Sequence, residues 1–164
     1  MRRITMLTLT MLALTSFLAT TALATSPHFI SCDANGVNPD GTLSVAFKIA
    51  GLGANQELTV TTSADATAVY GCLNKGQQCP NSKVAVSGVV TASGTFTSGK
   101  NGQITASLTV KPPPNTAVTC PPGGSQTLVL VSVSYTNVIV SAPGAGDCDT
   151  SPENPSANFF PQCP

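Results

Sequence analysis

The stretch from Thr42 to Ile49, Thr-Leu-Ser-Val-Ala-Phe-Lys-Ile, decides the fold class of this chain. Leucine, valine, phenylalanine and isoleucine occupy every second position, and small or polar residues lie between them. Successive side chains of a β-strand point to opposite faces of a sheet, so this period of two predicts a strand with one buried face. The same alternation returns from Ile104 to Val110. The pattern therefore favours a chain built from half-buried strands.

Strand patterns also fill the region between these two segments. Residues 57–61 alternate, and residues 66–72 continue in an extended pattern. Residues 84–97 predict one or two further strands, in which Gly88 and Gly94 are expected to be bulges or close approaches of the backbone. These segments are separated by residues typical of turns, so each is expected to be a separate strand.

Residues 127–140 differ because they carry apolar side chains on both faces, which predicts a strand that is central or crosses between sheets. Valine and threonine are abundant throughout, and branched side chains suit a pleated surface. We predict no helix after residue 24. The expected fold is all-β, an immunoglobulin-like antiparallel β-sandwich with disulfides and about seven to nine strands, with a small barrel as the alternative.

Residues 98–103 contain Asn101-Gly102, a signal for a β-hairpin. A two-residue loop would turn Phe96 away from Leu108. A three-residue loop, Lys100-Asn101-Gly102, buries Phe96 together with Leu108 and requires the left-handed backbone conformation at Gly102. We predict the three-residue loop because it buries the phenylalanine.

The first 24 residues predict a secretory leader. The basic start Met1-Arg2-Arg3 precedes the uncharged stretch Ile4 to Leu23, and Ala22-Leu23-Ala24 supplies the small residues that signal peptidase requires. An uncleaved membrane anchor is the alternative, but the serine and threonine content lowers the hydrophobicity of the stretch. The predicted product is an extracellular protein. The predicted division is a signal peptide at 1–24, a β-sandwich at 25–141 and a Pro/Gly-rich C-terminal tail at 142–164.

Charge excludes several classes of partner. Charged residues make up 9% of the chain, against about 25% in an ordinary soluble domain. Without Arg2 and Arg3 the seven basic residues fall to five lysines against seven acids, a net charge of −2. A nucleic-acid binder carries a basic excess, and arginine is the side chain that binds phosphate in a bidentate manner. Nucleic acid and anionic membrane are therefore not expected as partners.

All six cysteines lie after the leader, and an even number in an oxidising compartment predicts three disulfides. A zinc site is not expected, because the chain has no Cys-x-x-Cys pair. We predict a bond between Cys148 and Cys163, since both lie in the C-terminal tail. The other four allow Cys72–Cys79 with Cys32–Cys120, or the crossed pairings. The full set is Cys32, Cys72, Cys79, Cys120, Cys148 and Cys163.

Several stretches of residues 42–140 resemble a group of uncharacterised small secreted β-rich proteins. They are Ala50-Gly51-Leu52-Gly53, residues 64–72, residues 92–110 and residues 131–137. This resemblance implies no active site. A weaker resemblance, on Asp40-Gly41-Thr42, Ala50-Gly51-Leu52 and residues 101–110, is to the neocarzinostatin-like apoproteins of enediyne antibiotics. It implies an acidic sandwich that holds an apolar chromophore in a cleft.

The sequence offers little for catalysis. The single histidine, His28, would lie four residues into the mature chain, where a general base is difficult to hold in place, and we expect an ordinary surface histidine. Residues Asp33 to Gly41 are rich in Asp and Asn, the residues of calcium loops and of turns, and we prefer the turn. Asp147, Asp149 and Glu153 form a second oxygen-rich cluster, expected to be a solvated tail. We expect no enzyme, cofactor or metal site.

Residues 112–122 contain five prolines and Cys120. Such a segment is either a stiff crossover between sheets, which we prefer, or a cystine-anchored inhibitor loop.

Three functions follow from these observations. The leading one is a secreted, non-enzymatic, disulfide-stabilised sandwich that acts through its surface in adhesion or extracellular interaction. The second is a carrier of a small apolar ligand, and the third is a protease inhibitor. The carrier requires a cleft lined by residues such as Phe47, Tyr70, Phe96 and Tyr135.

Overall fold

The computed structural model of the protein describes residues 26–76, 78–121 and 125–163. These residues form strands and connecting turns, and no helix that could cross a membrane occurs among them. The predicted all-β class is confirmed for this part of the chain, and the predicted signal peptide at 1–24 lies outside it. The strands are β1 (His28–Val37), β2 (Leu43–Ala50), β3 (Glu57–Asn74), β4 (Asn81–Thr97), β5 (Ile104–Val110), β6 (Gln126–Ala142), β7 (Gly146–Asp149) and β8 (Ser156–Asn158).

The strands form two antiparallel sheets that pack in a sandwich-like arrangement. The smaller sheet has three strands in the order β1-β2-β5. The larger has five, in the order β4-β3-β6-β7, and β8 also pairs with β6. β2 and β5 pair without irregularity from Leu43 opposite Val110 to Ile49 opposite Ile104. The two segments with the plainest period of two therefore lie side by side.

The core lies between the two sheets. Leu43, Val45, Phe47 and Ile49 are at most 2% exposed, as their alternation predicts. From the larger sheet, valines of β3 and β6 and the side chain of Tyr135 face them. The rings of Phe47 and Phe96 meet edge to face, with centroids 5.3 Å apart, so the smaller sheet is joined to the larger one by a direct aromatic contact.

β4 is one continuous strand rather than two. It pairs with β3 in an unbroken register from Glu57 opposite Thr97 to Tyr70 opposite Val84. The prediction of bulges at Gly88 and Gly94 is therefore wrong. The alternative, a close approach, is correct for Gly94, where a Cβ atom would lie 3.0 Å from the Phe96 ring. Nothing lies within 4 Å of the corresponding position at Gly88.

β6 is an internal strand, with β3 on one side and β7 and β8 on the other. This confirms the prediction that residues 127–140 form a central strand. At a register shift opposite Val69 and Tyr70, Leu130 packs against the core cluster and the neighbouring Val131 is also buried. The shift explains part of the apolar character of both faces, because a bulge lets neighbouring residues turn to the same side. Leu128, before the shift, stays 42% exposed.

The predicted hairpin at residues 98–103 is wrong, because β4 and β5 belong to different sheets. Ser98 is 2% exposed, and its hydroxyl donates to the Gly53 carbonyl at 2.7 Å and accepts from the Gln56 amide at 2.8 Å. These bonds join the segment to the connection between β2 and β3, which also crosses between the sheets.

Three parts of the prediction hold. The three-residue loop Lys100-Asn101-Gly102 is closed by the Gly99 amide, which donates to the Gln103 carbonyl at 2.9 Å. Gly102 has a φ of +70°, and Phe96 packs against the core.

The disulfides join Cys32 to Cys148, Cys72 to Cys120 and Cys79 to Cys163, and the described residues include no free cysteine. The predicted bond between Cys148 and Cys163 is wrong, and so is the alternative Cys72–Cys79 with Cys32–Cys120. Of the crossed alternatives, only Cys72–Cys120 occurs.

The physical reason is that the C-terminal tail is part of the larger sheet. β7 pairs with β6 over residues 139–142, and β8 pairs with residues 132–134 of the same strand. The Ser151 carbonyl accepts from the Ala34 amide at 2.9 Å, which holds the tail beside β1. Cys148 therefore lies beside β1 and Cys163 beside the loop between β3 and β4, rather than next to each other.

Candidate binding surface

His28 is an exposed residue at the start of β1. Its Nδ1 atom lies 3.0 Å from the carbonyl oxygen of Ser26, two residues earlier in the chain, so the side chain bonds to the backbone. The imidazole therefore already has a hydrogen-bond partner in the backbone just before β1. This position agrees with the ordinary surface histidine expected from the sequence.

The Asp33–Gly41 segment forms a strand end and a turn. Asp33 lies in β1 opposite Ala46, whereas Asp40 lies in the turn, where its Oδ1 accepts from the amide of Thr42 at 3.0 Å and from its hydroxyl at 2.7 Å. These two bonds lower the pKa of Asp40 below its ordinary value. Within the described residues, no three His, Cys, Asp or Glu side chains are placed to hold a metal ion. The oxygen atoms of Asp40 thus serve the turn.

The aromatic residues expected to line an apolar cleft pack into the interior instead. Phe47 is 2% exposed and Tyr135 is fully buried. The Tyr135 hydroxyl donates to the Gly41 carbonyl at 2.7 Å, and burial raises the pKa of this tyrosine strongly. The Tyr70 hydroxyl donates to the Pro113 carbonyl at 2.6 Å, and burial also raises its pKa. These side chains hold the two layers and their connections together.

The proline-rich connection packs onto β3 beyond the end of the smaller sheet. It is held there by the Tyr70–Pro113 hydrogen bond and by the Cys72–Cys120 disulfide. The Asn115 side chain accepts from the Val118 amide at 2.9 Å and donates to the Val118 carbonyl at 2.7 Å. An inhibitor loop has to offer its backbone to the protease, whereas here the Pro113 carbonyl and both backbone groups of Val118 already bond within the chain. The geometry is that of a stiff crossover.

The second acidic cluster is only partly assembled. Asp149 and Glu153 line a cavity of about 250 Å³ between the tail and β6, together with Asn137, Val138, Thr150 and Asn154. Asp147 lies outside this cavity and accepts a hydrogen bond from Ser141 at 2.6 Å. The prediction of a merely solvated tail did not include this cleft, because the pairing of β7 with β6 cannot be read from such a short segment.

A regular array of hydroxyl groups occupies the outer face of the larger sheet. Thr59, Thr61, Ser63 and Thr67 of β3 alternate with buried residues, and each has a serine or threonine opposite it on β4. Asp65, which lies opposite Val89, interrupts the array. Three cross-strand pairs approach within hydrogen-bond distance. We call this array the hydroxyl face, and its pairs are Thr59 with Thr95 at 3.1 Å, Thr61 with Ser93 at 2.8 Å and Thr67 with Ser87 at 2.8 Å.

Shallow grooves lie within and beside the hydroxyl face. One, of about 340 Å³, is lined by Thr67 and Ser87 and by Asp65, whose carboxylate accepts from the Asn137 amide at 2.7 Å. The other, of about 360 Å³, is lined by Thr59, Thr61 and residues of the β6–β7 turn. The surface thus carries hydroxyl groups, the Asp65 carboxylate and the apolar side chain of Val89, which is 71% exposed. Its groups can donate and accept hydrogen bonds.

The alternation of β3 predicts that Thr59 and Thr61 face outward, but not that β4 places a hydroxyl opposite each of them. That pairing depends on the register of two strands and is not visible in either segment alone. Comparison with family models, curated proteins and solved structures finds no match for this chain. The hydroxyl face is therefore identified from the geometry of the chain itself.

Proposed function

We propose that this chain is a secreted, non-enzymatic, disulfide-stabilised sandwich of the immunoglobulin-like type, which acts through surface interactions outside the cell. Its binding surface is the hydroxyl face. The observation that carries this proposal is the row of paired hydroxyls across β3 and β4. Alternate residues of a strand repeat at about 6.6 Å, and neighbouring strands lie about 4.8 Å apart, so the sheet presents these hydroxyls at fixed intervals.

The disulfides support the extracellular part of the proposal. Three disulfides in a chain of this size are typical of oxidising compartments, and the leader pattern at 1–24 is the matching export signal. Intact mass spectrometry of protein recovered from the culture medium tests it. We expect a chain that begins at Thr25 and gains the mass of about six hydrogens on full reduction, one pair per disulfide. A chain that stays in the cell with its leader would contradict it.

The positions of the polar side chains support a binding role rather than a catalytic one. His28 bonds to a backbone carbonyl, Asp40 to the turn that contains it, and the phenols of Tyr70 and Tyr135 to backbone carbonyls. Each of these groups has a structural partner. The hydroxyls of β3 and β4 bond to one another, but in each pair one O–H donor and several lone pairs stay available on an open face where another surface can reach them.

The face suits a partner with hydrogen-bonding groups and little charge. Serine and threonine can donate and accept at the same atom, so neutral hydroxyls and amides fit them well. Single hydrogen bonds contribute only about 1 kcal/mol each, so such a face gains affinity from many contacts in parallel. A cell-surface or matrix component with repeated polar groups meets this requirement.

The test uses the fluorescently labelled, oxidised protein and intact cells of the producing strain, together with the matrix of their culture. The variant Thr61→Lys/Ser93→Lys replaces one hydroxyl pair with two charged side chains. We expect at least a roughly tenfold loss of binding, because a loss of about 1.4 kcal/mol corresponds to a factor of ten.

The matched control is Ser107→Lys/Thr109→Lys, two exposed positions on β5 in the other sheet. It adds the same charge and should bind like the unsubstituted protein. Equal binding by all three proteins would remove the hydroxyl face from the proposal. An equal loss in both variants would show that net charge, rather than the face, controls binding.

A further inference from the structure

The four edges of the two sheets are not protected equally. Proteins protect exposed edges with short strands, bulges, proline or charge, because an unpaired edge can recruit another chain. β1 has two register shifts, and β5 has seven residues and ends at Lys111-Pro112. β7 and β8 have four and three residues. Three of the edges are therefore short or interrupted.

The fourth edge, β4, has none of these protections. β4 is 17 residues long and pairs with β3 without a shift over most of its length. Within the described residues, no strand pairs with its other side. The stretch Val84 to Thr97 contains neither a charged residue nor a proline. Val84 is 39% exposed and Val89 is 71% exposed, so apolar surface accompanies the open edge.

We propose that the partner of this edge is a second copy of the chain, whose β4 pairs antiparallel with the first around a two-fold axis at Val90. The two five-stranded sheets then join into one continuous sheet. An antiparallel pair keeps inward-facing side chains opposite inward-facing ones only if the two residue numbers have an even sum. A centre at Val90 meets this condition and uses the stretch from Lys83 to Thr97.

The edge is complementary to itself in this register. On the outer face Ser87 lies opposite Ser93 of the second copy, which repeats the hydroxyl pairing that β3 and β4 already make. On the inner face Val84 lies opposite Phe96, and aromatic pairs with branched side chains stabilise antiparallel strands. Lys83 lies opposite Thr97, so no charge meets a like charge. A sheet edge that is neutral and apolar matches its own copy.

The size of the contact is sufficient for a specific but modest association. Pairing from Lys83 to Thr97 extends over about 50 Å, and a sheet with its side chains is about 10 Å thick. Each copy therefore contributes roughly 500 Å², and the total of about 1,000 Å² is where specific interfaces begin. We expect a dissociation constant in the micromolar range.

The test is sedimentation equilibrium of the oxidised protein at concentrations up to about 500 µM, which covers the range expected for an interface of this size. We expect twice the monomer mass at the upper end. The variant Val89→Lys/Thr91→Lys puts lysine opposite lysine on both sides of the axis and should reduce the measured mass twofold. The variant Val89→Glu/Thr91→Glu should do the same.

A mixture of the lysine and glutamate variants should restore the doubled mass, because opposite charges then face each other across the axis. This result also excludes misfolding of the variants. The control Ser134→Lys/Thr136→Lys carries the same charge at exposed positions of the internal strand β6 and should stay dimeric.

A monomer at every concentration, a lysine variant that remains dimeric, or equal dissociation of the control would overturn the proposal. The mass measurement needs no external partner. Its outcome is therefore separate from that of the cell-binding test of the hydroxyl face.

Discussion

Tyr135 is a residue at which one hydrogen bond joins separate parts of the fold. Its side chain is fully buried, and its hydroxyl reaches the carbonyl of Gly41, 94 positions away along the chain. Gly41 has a φ of +85°, and a Cβ atom there would overlap the side chain of Leu130. The turn before β2 is therefore placed against β6 by a backbone conformation that favours glycine and by one phenol.

We predict that Tyr135→Phe lowers the free energy of unfolding by about 1–3 kcal/mol, because the Gly41 carbonyl stays buried without its partner. The measurement is denaturant unfolding of the oxidised protein. Tyr70→Phe is the matched control, since its hydroxyl also bonds to a backbone carbonyl but at a partly buried site. We expect a smaller loss there. An equal or larger loss in Tyr70→Phe would contradict this role for Tyr135.

The two tyrosines also predict a loss of stability at high pH. Burial raises the pKa of both phenols above the ordinary value of 10.0. A folded pKa above the unfolded one means that the stabilising contribution is complete below about pH 10 and is lost as the pH rises through the folded pKa. The sequence contains only two tyrosines, so the absorbance of phenolate reports both.

We expect the phenols of the folded protein to ionise at higher pH than those of the protein unfolded in urea. In Tyr70→Phe, the remaining transition belongs to Tyr135 and should move furthest. If the phenols of the folded and unfolded protein ionised at the same pH, the predicted rise in their pKa on folding would be wrong.

At the scale of elements, local patterns predicted strands well and their partners poorly. The alternation from Leu43 to Ile49 and from Ile104 to Val110 identified β2 and β5, because burial of one face is recorded in the segment itself. Asn101-Gly102 correctly indicated a turn with a positive φ. The path of the chain on either side of this turn depends instead on Ser98, whose hydroxyl bonds to residues 45 and 42 positions away. Partners so distant in the sequence cannot be predicted from the local pattern of residues.

The tail and the hydroxyl face show the same limit. β7 and β8 contain four and three residues, too few for a period to be recognised, and glycine, aspartate and proline surround them. The outward direction of Thr59 and Thr61 was predictable from alternation. The opposite hydroxyls on β4 were not, because they follow from the long register of the β3–β4 pair.

The disulfides are expected to stabilise elements to different degrees. Cys32 is 6% exposed within the core and is joined to Cys148, which links the smaller sheet to the larger one. We predict that Cys32→Ala/Cys148→Ala lowers the free energy of unfolding by about 2–5 kcal/mol. Thermal unfolding without reductant measures this loss.

Cys79→Ala/Cys163→Ala provides the comparison. This bond joins the end of the chain to the loop between β3 and β4. Its removal should act mainly by local opening, so that amide hydrogen exchange becomes faster in β8 while the global loss is smaller. If removal of Cys79–Cys163 lowered global stability more than removal of Cys32–Cys148, the expected order would be wrong.

At the scale of the whole molecule, three crosslinks fasten the parts that strand pairing alone holds weakly. Cys32–Cys148 joins the two sheets, and Cys72–Cys120 fastens the proline-rich crossover to β3. Cys79–Cys163 fastens the segment after β8 to the loop between β3 and β4. Only 9% of the residues are charged, and the side chains of Phe47 and Tyr135 are buried in the core. The hydroxyl face and the unpaired edge of β4 lie on the outside. A rigid surface is the feature that this construction provides.

The most direct test of the two-sheet arrangement is the disulfide map of the non-reduced protein. Cleavage after lysine and before aspartate places the six cysteines on six different peptides, so every bond appears as one linked pair. We predict that Cys32 is linked to Cys148, Cys72 to Cys120 and Cys79 to Cys163. A bond between Cys148 and Cys163, or free thiols in the native protein, would contradict the two-sheet arrangement.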